Sequence, residues 1–213
     1  MSDRPRDSAM SLELAEGTGP ILVMCPAGDA LEIYKVDRCF EVLSPDSVDP
    51  KQTDPNAPWI VRHVSGFGAG NDIVARTVLQ ANAFLKEATF KDTVDREKVM
   101  EAARGCRNSI LECRRIAEEI NAEIDRIVRK YRFLNLRGNV ITSFPVYEGL
   151  HEAAGRFLLS AKQALQHAAG IINAFFGQVF TGPHYHKIRD WLNKTFSGTG
   201  FAKFIEVNEP RIK

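Results

Sequence analysis

The chain has 213 residues, 44 % of them hydrophobic and 26 % charged, with a formal net charge of +1. That length suits one large globular domain, or one domain with a small appendage, and the apolar fraction is that of an ordinary globular protein. Near-balanced charge gives no global reason to expect a polyanion partner, and no uninterrupted apolar run approaches the ~20 residues that a membrane span needs.

Residues 1–19 are polar and charged, lack the apolar core of a signal peptide and read as a flexible tail. Residues 20–65 read as a small β unit. Ile21 to Cys25 is a compact apolar run, and Pro26-Ala27-Gly28-Asp29 is turn chemistry. Leu31, Ile33 and Val36 partly alternate with polar neighbours, Cys39 to Leu43 suggests a third strand, and Trp59 to Val64 a further short one. Between the last two, Pro45, Pro50, Pro55 and Pro58 predict a loop and exclude helix or central strand.

Residues 66–213 read as a helical bundle. Asn71 or Asp72 is placed to cap a helix reaching about Ala88. Asp92 or Thr93 is the expected cap of a long helix over 94–132. Along it Val99, Ala103, Cys106, Ile110, Cys113, Ala117, Ile120, Ile124, Ile127 and Tyr131 alternate in steps of four and three. That 3.5-residue period marks a narrow stripe packed on another helix. A loop around Asn135, Gly138 and Asn139 leads to a second long helix, expected from Pro145 to Phe180. Its many alanines and glycines keep it slim, so the two are expected to form an antiparallel hairpin. Gly182-Pro183 ends that helix, and His184 to Phe196 forms a shorter one with Ile188, Trp191 and Leu192 inward. Asn208-Glu209-Pro210 resembles a helix start with only three residues after it, which fits either a short docked extension or part of a longer chain. The fold class is therefore α+β, mostly α.

The four cysteines, Cys25, Cys39, Cys106 and Cys113, show neither a CxxC pair nor zinc spacing. Cys106 and Cys113 lie a heptad apart on one helix face, about 10 Å in rise, too far for a disulfide. They read as small core residues of a cytoplasmic protein.

Three constellations carry candidate chemistry. Gly66, Gly68 and Gly70 form a GxGxG between a strand and a helix, where backbone N–H groups and a helix N-terminus favour an anion. The spacing matches neither the dinucleotide fingerprint nor a P-loop, and a connection between sheet and bundle explains the glycines equally. Glu148 and His151 make an ExxH, but a second set is missing, since Arg115 stands three residues after Glu112, so no metal site or cofactor is assigned. His184, His186, Lys187, Arg189 and Lys194, beside Trp191, combine cations with aromatics as a nucleic-acid contact requires. Residues 132–213 hold 10 Lys/Arg against 5 Asp/Glu, so this end is +5. These five residues are the candidate ligand-binding set. Leu111, Ile116, Phe176 and Phe180 lie off the helix seams, which points to a further covering helix or to a homo-oligomer.

The layout of two long antiparallel helices followed by a shorter basic helix resembles that of HEPN-type helical domains. Membership would imply an RNA-binding or RNA-cleaving protein, often dimeric. The signature of that superfamily is an arginine, four to six residues and then a histidine. Here Arg62 and His63 are adjacent, and Arg156 lies far from His167. No catalytic residue is carried over, unless the signature lies in a helix beyond Lys213. The sequence thus reads first as a non-enzymatic binding or assembly module, and second as a HEPN-like RNA-acting protein.

Overall fold

The computed structural model describes residues 14, 16–90, 94–132, 146–180 and 184–212, with only the backbone of 131, 132, 209, 211 and 212. The chain is α+β and mostly α, with a four-stranded antiparallel sheet followed by helices. Two compact units divide it: residues 1–104 with 171–178, and residues 105–170 with 179–213. The unit that holds the sheet therefore extends past residue 66, through the first helices.

In the first unit, β1 (Val23–Ala27), β2 (Ala30–Tyr34), β3 (Cys39–Leu43) and β4 (Ile60–Ser65) lie in sequence order, each antiparallel to the next. Ala27 pairs with Ala30, so Gly28 and Asp29 make a two-residue hairpin loop. Gly28 has φ 61°, which a primed hairpin turn needs and a glycine supplies. Alternation sorts the two faces of the sheet. One face buries Ile33, Phe40 and Val42 with Leu14, Ile21 and Leu31 packed against them. The other carries the row Cys25, Glu32, Glu41 and Arg62. Its two facing carboxylates would repel. The Tyr34 hydroxyl donates to Glu32 at 2.6 Å, and Arg62 ion-pairs with Glu41. His63 stands opposite Phe40, and their rings meet edge-on at 5.7 Å.

The proline-rich loop contains one feature that the prolines hid. Residues Pro45–Val48 form a single helical turn, α1, with Pro45 in its first turn and the Ser44 hydroxyl accepting from Ser47 N. Proline is suited to that position because the first-turn N–H has no helical partner. Next, Asn71 caps α2 (Asp72–Val74), which continues through a π segment (Ala75–Leu79) into α3 (Gln80–Glu87). Val74, Val78 and Leu85 face inward. Phe84, Phe90 and Phe175 meet with centroids 5.2–5.9 Å apart.

The long helix α4 spans Arg96–Arg132. The expected caps Asp92 and Thr93 lie outside the described residues. The Asp95 carboxylate accepts from Lys98 N at 3.1 Å, at the start of the helix. Burial along α4 departs from the single stripe. Val99, Ala103 and Cys106 are buried, but Ile110, Cys113, Ala117, Ile120 and Ile127 are half-buried and Ile124 is exposed. Leu111 and Ile116, off the stripe, are buried within the chain and need no second copy to cover them. More than one face of α4 is covered over residues 106–116.

In the second unit, α5 (Leu150–Phe176) runs antiparallel to α4. Gly105 meets His167, the Cys113 thiol lies 3.7 Å from Phe157 O, and Arg156 reaches Glu119 at 3.5 Å. Pro145 and the loop around Asn135, Gly138 and Asn139 lie outside the described residues, as do Gly182 and Pro183. The helix stops at Phe176, short of Phe180, because Gly177 turns the backbone left-handed at φ 61°. Tyr185–Thr195 forms α6, and Gly200–Ile212 forms α7, which packs on α6. Thr199 caps α7, its hydroxyl accepting from Ala202 N at 3.2 Å. Residues 208–210, read as a helix start, therefore continue a helix that began eight residues earlier at Gly200. Ala202 and Ile205 are its buried residues. Among the described residues no helix is long and apolar enough to cross a membrane.

Candidate functional site

Helix α6 sorts its residues by period. Tyr185, Ile188 and Leu192 are buried, while His184, His186, Lys187 and Lys194 are exposed. Trp191, expected inward with Ile188, is half-buried between Phe180 and Phe196, at centroid distances of 5.6 and 5.5 Å. Tyr185 takes the inward place and donates its hydroxyl to Leu165 O at 3.0 Å. Burial, with Cys106 nearby, pushes the Tyr185 phenol up to about 12. Arg189 is half-buried and pairs with Asp190 at 2.8 Å. The rings of His184 and His186 stand edge-to-face at 5.6 Å. Among the described residues no group of three or more His, Cys, Asp or Glu is placed to hold a metal.

The glycine loop has a clear packing role. Ala69 N donates to Lys35 O and Gly70 N to Val36 O, both at 2.8 Å. Phe67 N donates to the Ser65 hydroxyl at 3.1 Å, and Asn71 N to Gly68 O at 3.1 Å. The Asn71 carboxamide takes Ile73 N and Val74 N. The amides of the loop and of the following helix start are thus largely committed to acceptors within the protein. A Cβ at Gly68 would run into Lys35 O and Arg38 N, and one at Gly70 would lie 3.0 Å from Val36 O. Gly66 has open space around it.

Glu112, the acid lacking an ExxH histidine, ion-pairs with Arg115, whose guanidinium holds the Glu112 carboxyl below its ordinary range. Arg126 does the same for Glu123. Cys106 and Cys113 are free thiols held up by burial, so neither is an activated nucleophile.

Two concave features lie apart from these residues. On the second unit, a shallow groove of about 330 Å³ separates Ala117, Ile120 and Asn121 from Ala154, Phe157 and Leu158. Leu158 at the groove, and Ile124 and Val128 on α4 and Leu150 on α5 outside its lining, are apolar and all at least 43 % exposed. On the first unit, a cleft of about 520 Å³ opens between the β1–β2 turn, α3 and the start of α4. Lys86, Arg96 and Arg104 bring cations to it, and Asp29 and Glu97 carboxylates. Asn82, 8 % exposed, also lines it. None of these residues stands out in a motif. Asn82 does carry a signal in the sequence, because it occupies a core-facing step in the series Val74, Val78, Asn82, Leu85 that apolar residues otherwise fill. No protein-family model, curated protein or solved structure matches the chain.

Proposed function

We propose that the protein is a cytoplasmic, non-enzymatic assembly module that self-associates through the far end of its α4–α5 hairpin. The observation that carries this reading is the exposure of the apolar side chains Ile124 and Val128 on α4 and Leu150 and Leu158 on α5, together with the groove that Ile120, Phe157 and Leu158 line. The four-and-three seam runs on through Ile124 and Ile127, beyond the stretch where the chain buries it. A seam of that period is built to meet a helix. The charges of α4 favour a second copy as that partner. Glu118, Glu119, Glu123 and Asp125 precede Arg126, Arg129 and Lys130 along the helix. An antiparallel two-fold pairing lays the acidic stretch of each copy on the basic stretch of the other, and such a surface is self-complementary. Four cysteines outside any disulfide suit a reducing compartment.

Sedimentation equilibrium of the full chain tests the reading. The parent is expected to dimerise reversibly, and Ile124→Asp/Leu158→Asp to remain monomeric with unchanged helical circular dichroism. A parent that stays monomeric at high concentration removes it.

The second reading is HEPN-like RNA binding. It is favoured by the exposure of His184, His186, Lys187 and Lys194 on one short helix that follows the hairpin. Phosphate contacts through such residues weaken as salt rises. Fluorescence anisotropy with labelled single-stranded RNA at two salt concentrations, comparing the parent with Lys187→Glu/Lys194→Glu, decides it. Equal binding by both proteins, or none at low salt, leaves only the assembly module.

A further inference from the structure

The cleft of the first unit is built as a ligand site. Its volume of about 520 Å³ lies in the range of small-molecule pockets, roughly 300–1,000 Å³. Its floor is apolar, with Leu85 from α3 and Met100 from α4, which are 5 % and 7 % exposed. Arg104 anchors one wall by donating to Pro26 O at 2.8 Å, leaving its other N–H groups unspent on that carbonyl. Arg96 lies over the Phe90 ring at 5.9 Å, which holds the guanidinium in place. Glu97 reaches to the hairpin turn at Gly28.

Asn82 points to an occupant. Its side chain is more than nine-tenths buried, it lines the cleft, and it makes no side-chain hydrogen bond among the described residues. No buried side-chain nitrogen or oxygen among the described residues is both sealed from solvent and unbonded, so the Asn82 amide reaches the open space of the cleft. An amide that faces the cleft with no partner among the described residues is open to a ligand that offers both a donor and an acceptor. Each part of the cleft then has a counterpart. The cations Lys86, Arg96 and Arg104 suit a phosphate. The carboxylates Asp29 and Glu97 suit hydroxyl donors. Leu85 and Met100 suit a flat apolar body, and Asn82 suits the donor–acceptor edge of that body. The geometry points to a mononucleotide-like ligand: a phosphate, a polyhydroxylated sugar and a base. This site belongs to the first unit and is independent of the hairpin surface.

Isothermal titration of the full chain with AMP, GMP, UMP, ribose 5-phosphate and inorganic phosphate tests the inference. At least one nucleotide is expected to bind more tightly than ribose 5-phosphate. Asn82→Leu should weaken that nucleotide about tenfold or more while leaving ribose 5-phosphate unchanged. Lys86→Gln, at an exposed position, and Arg96→Gln should weaken both ligands. Asn82→Leu removes no side-chain bond among the described residues and should melt no lower than the parent; were it to unfold, Lys86→Gln and Arg96→Gln still test the cleft, by the weakening of both ligands. The inference is overturned if none of the nucleotides binds at millimolar concentration. It is equally overturned if inorganic phosphate binds as well as they do, or if Asn82→Leu and Lys86→Gln bind like the parent.

Discussion

The imidazole of His167 on α5 lies directly over the α-carbon of Gly105 on α4, so that a Cβ at residue 105 would strike Cε1 and Nδ1 of the ring. Glycine is an unfavourable residue in a helix interior, at a cost of about 1 kcal/mol relative to alanine. Close approach of the two helices explains why it stands there. Gly105→Ala gains that propensity but overpacks the contact, for which about 1–3 kcal/mol is typical. The variant is expected to melt below the parent. Gly105→Ala/His167→Ala should recover more than the two single changes sum to, because the clash exists only when both side chains are present. Additive single and double variants in thermal melts would remove this account of Gly105.

Burial on α4 predicts two opposite outcomes from the same kind of change. Ile116 is 0 % exposed and Ile124 is 43 % exposed. Ile116→Asp places an unpaired carboxylate in the core and should cost about 3 kcal/mol or more. Ile124→Asp should change monomer stability by about 0.5 kcal/mol or less and act instead on self-association. Ile120, between them in sequence and on the four-and-three seam, is half-buried at the groove. Denaturant unfolding of Ile116→Asp and Ile124→Asp separates the two residues; equal losses would contradict the burial pattern.

Much of the fold was legible because its signals are local. Short apolar runs and partial alternation exposed the four strands, Asn71 exposed a cap, and the four-and-three spacing exposed α4. The misses have physical causes as well. Helix α7 begins after a run of Ser, Gly and Thr, and Asn208-Glu209-Pro210 imitates a helix start near its end; Thr199 is the cap that would have placed its true start. Trp191 lies three residues after Ile188 and so also fits an inward stripe, but the buried i, i+3, i+7 set is Tyr185, Ile188 and Leu192. The cleft of the first unit was illegible as a motif. Asp29, Asn82, Lys86, Arg96 and Arg104 come from three separate elements, and each reads alone as a turn or an ordinary helix residue. Only the close packing of those elements gives them a common space.

Alkaline stability should report on Tyr185. Its phenol lies at about 12 in the folded protein against an ordinary 10, because burial disfavours the charged form. The folded state therefore holds a proton that the unfolded chain releases first. This contribution is complete below pH 10 and is lost as pH rises from 10 through 12. It is on the order of 2 kcal/mol. Tyr185→Phe also loses the bond to Leu165 O, about 1 kcal/mol at neutral pH. The variant is expected to start less stable and then to fall less steeply between pH 10 and 12. Unfolding measured across that window, with absorbance at 295 nm following phenolate formation, checks both parts; parallel pH profiles would contradict the role given to burial.

The glycine loop offers the sharpest contrast between neighbours. Gly68 lies against the backbone of the β2–β3 connection, where an added Cβ would meet Lys35 O, Arg38 N and, at 2.7 Å, Asp37 N. Backbone atoms fixed by their own hydrogen bonds, including Lys35 N to Arg38 O at 2.9 Å, cannot step aside as a side-chain tip can. Lys35 is held further by its ammonium, which donates to the carbonyls of Leu14, Glu16 and Gly17. Gly68→Ala should therefore force the loop off the sheet, breaking the bonds from Ala69 and Gly70, at a cost of about 2–3 kcal/mol. Gly66 meets nothing within 4 Å, and Gly66→Ala should stay within about 0.5 kcal/mol of the parent. If the glycines serve an anion instead, Gly66→Ala and Gly68→Ala should melt alike without ligand, and added phosphate should stabilise the parent more than either variant. Thermal melts of the three proteins with and without phosphate separate the two roles, and the packing role requires the Gly68→Ala loss to be present in full without any added anion.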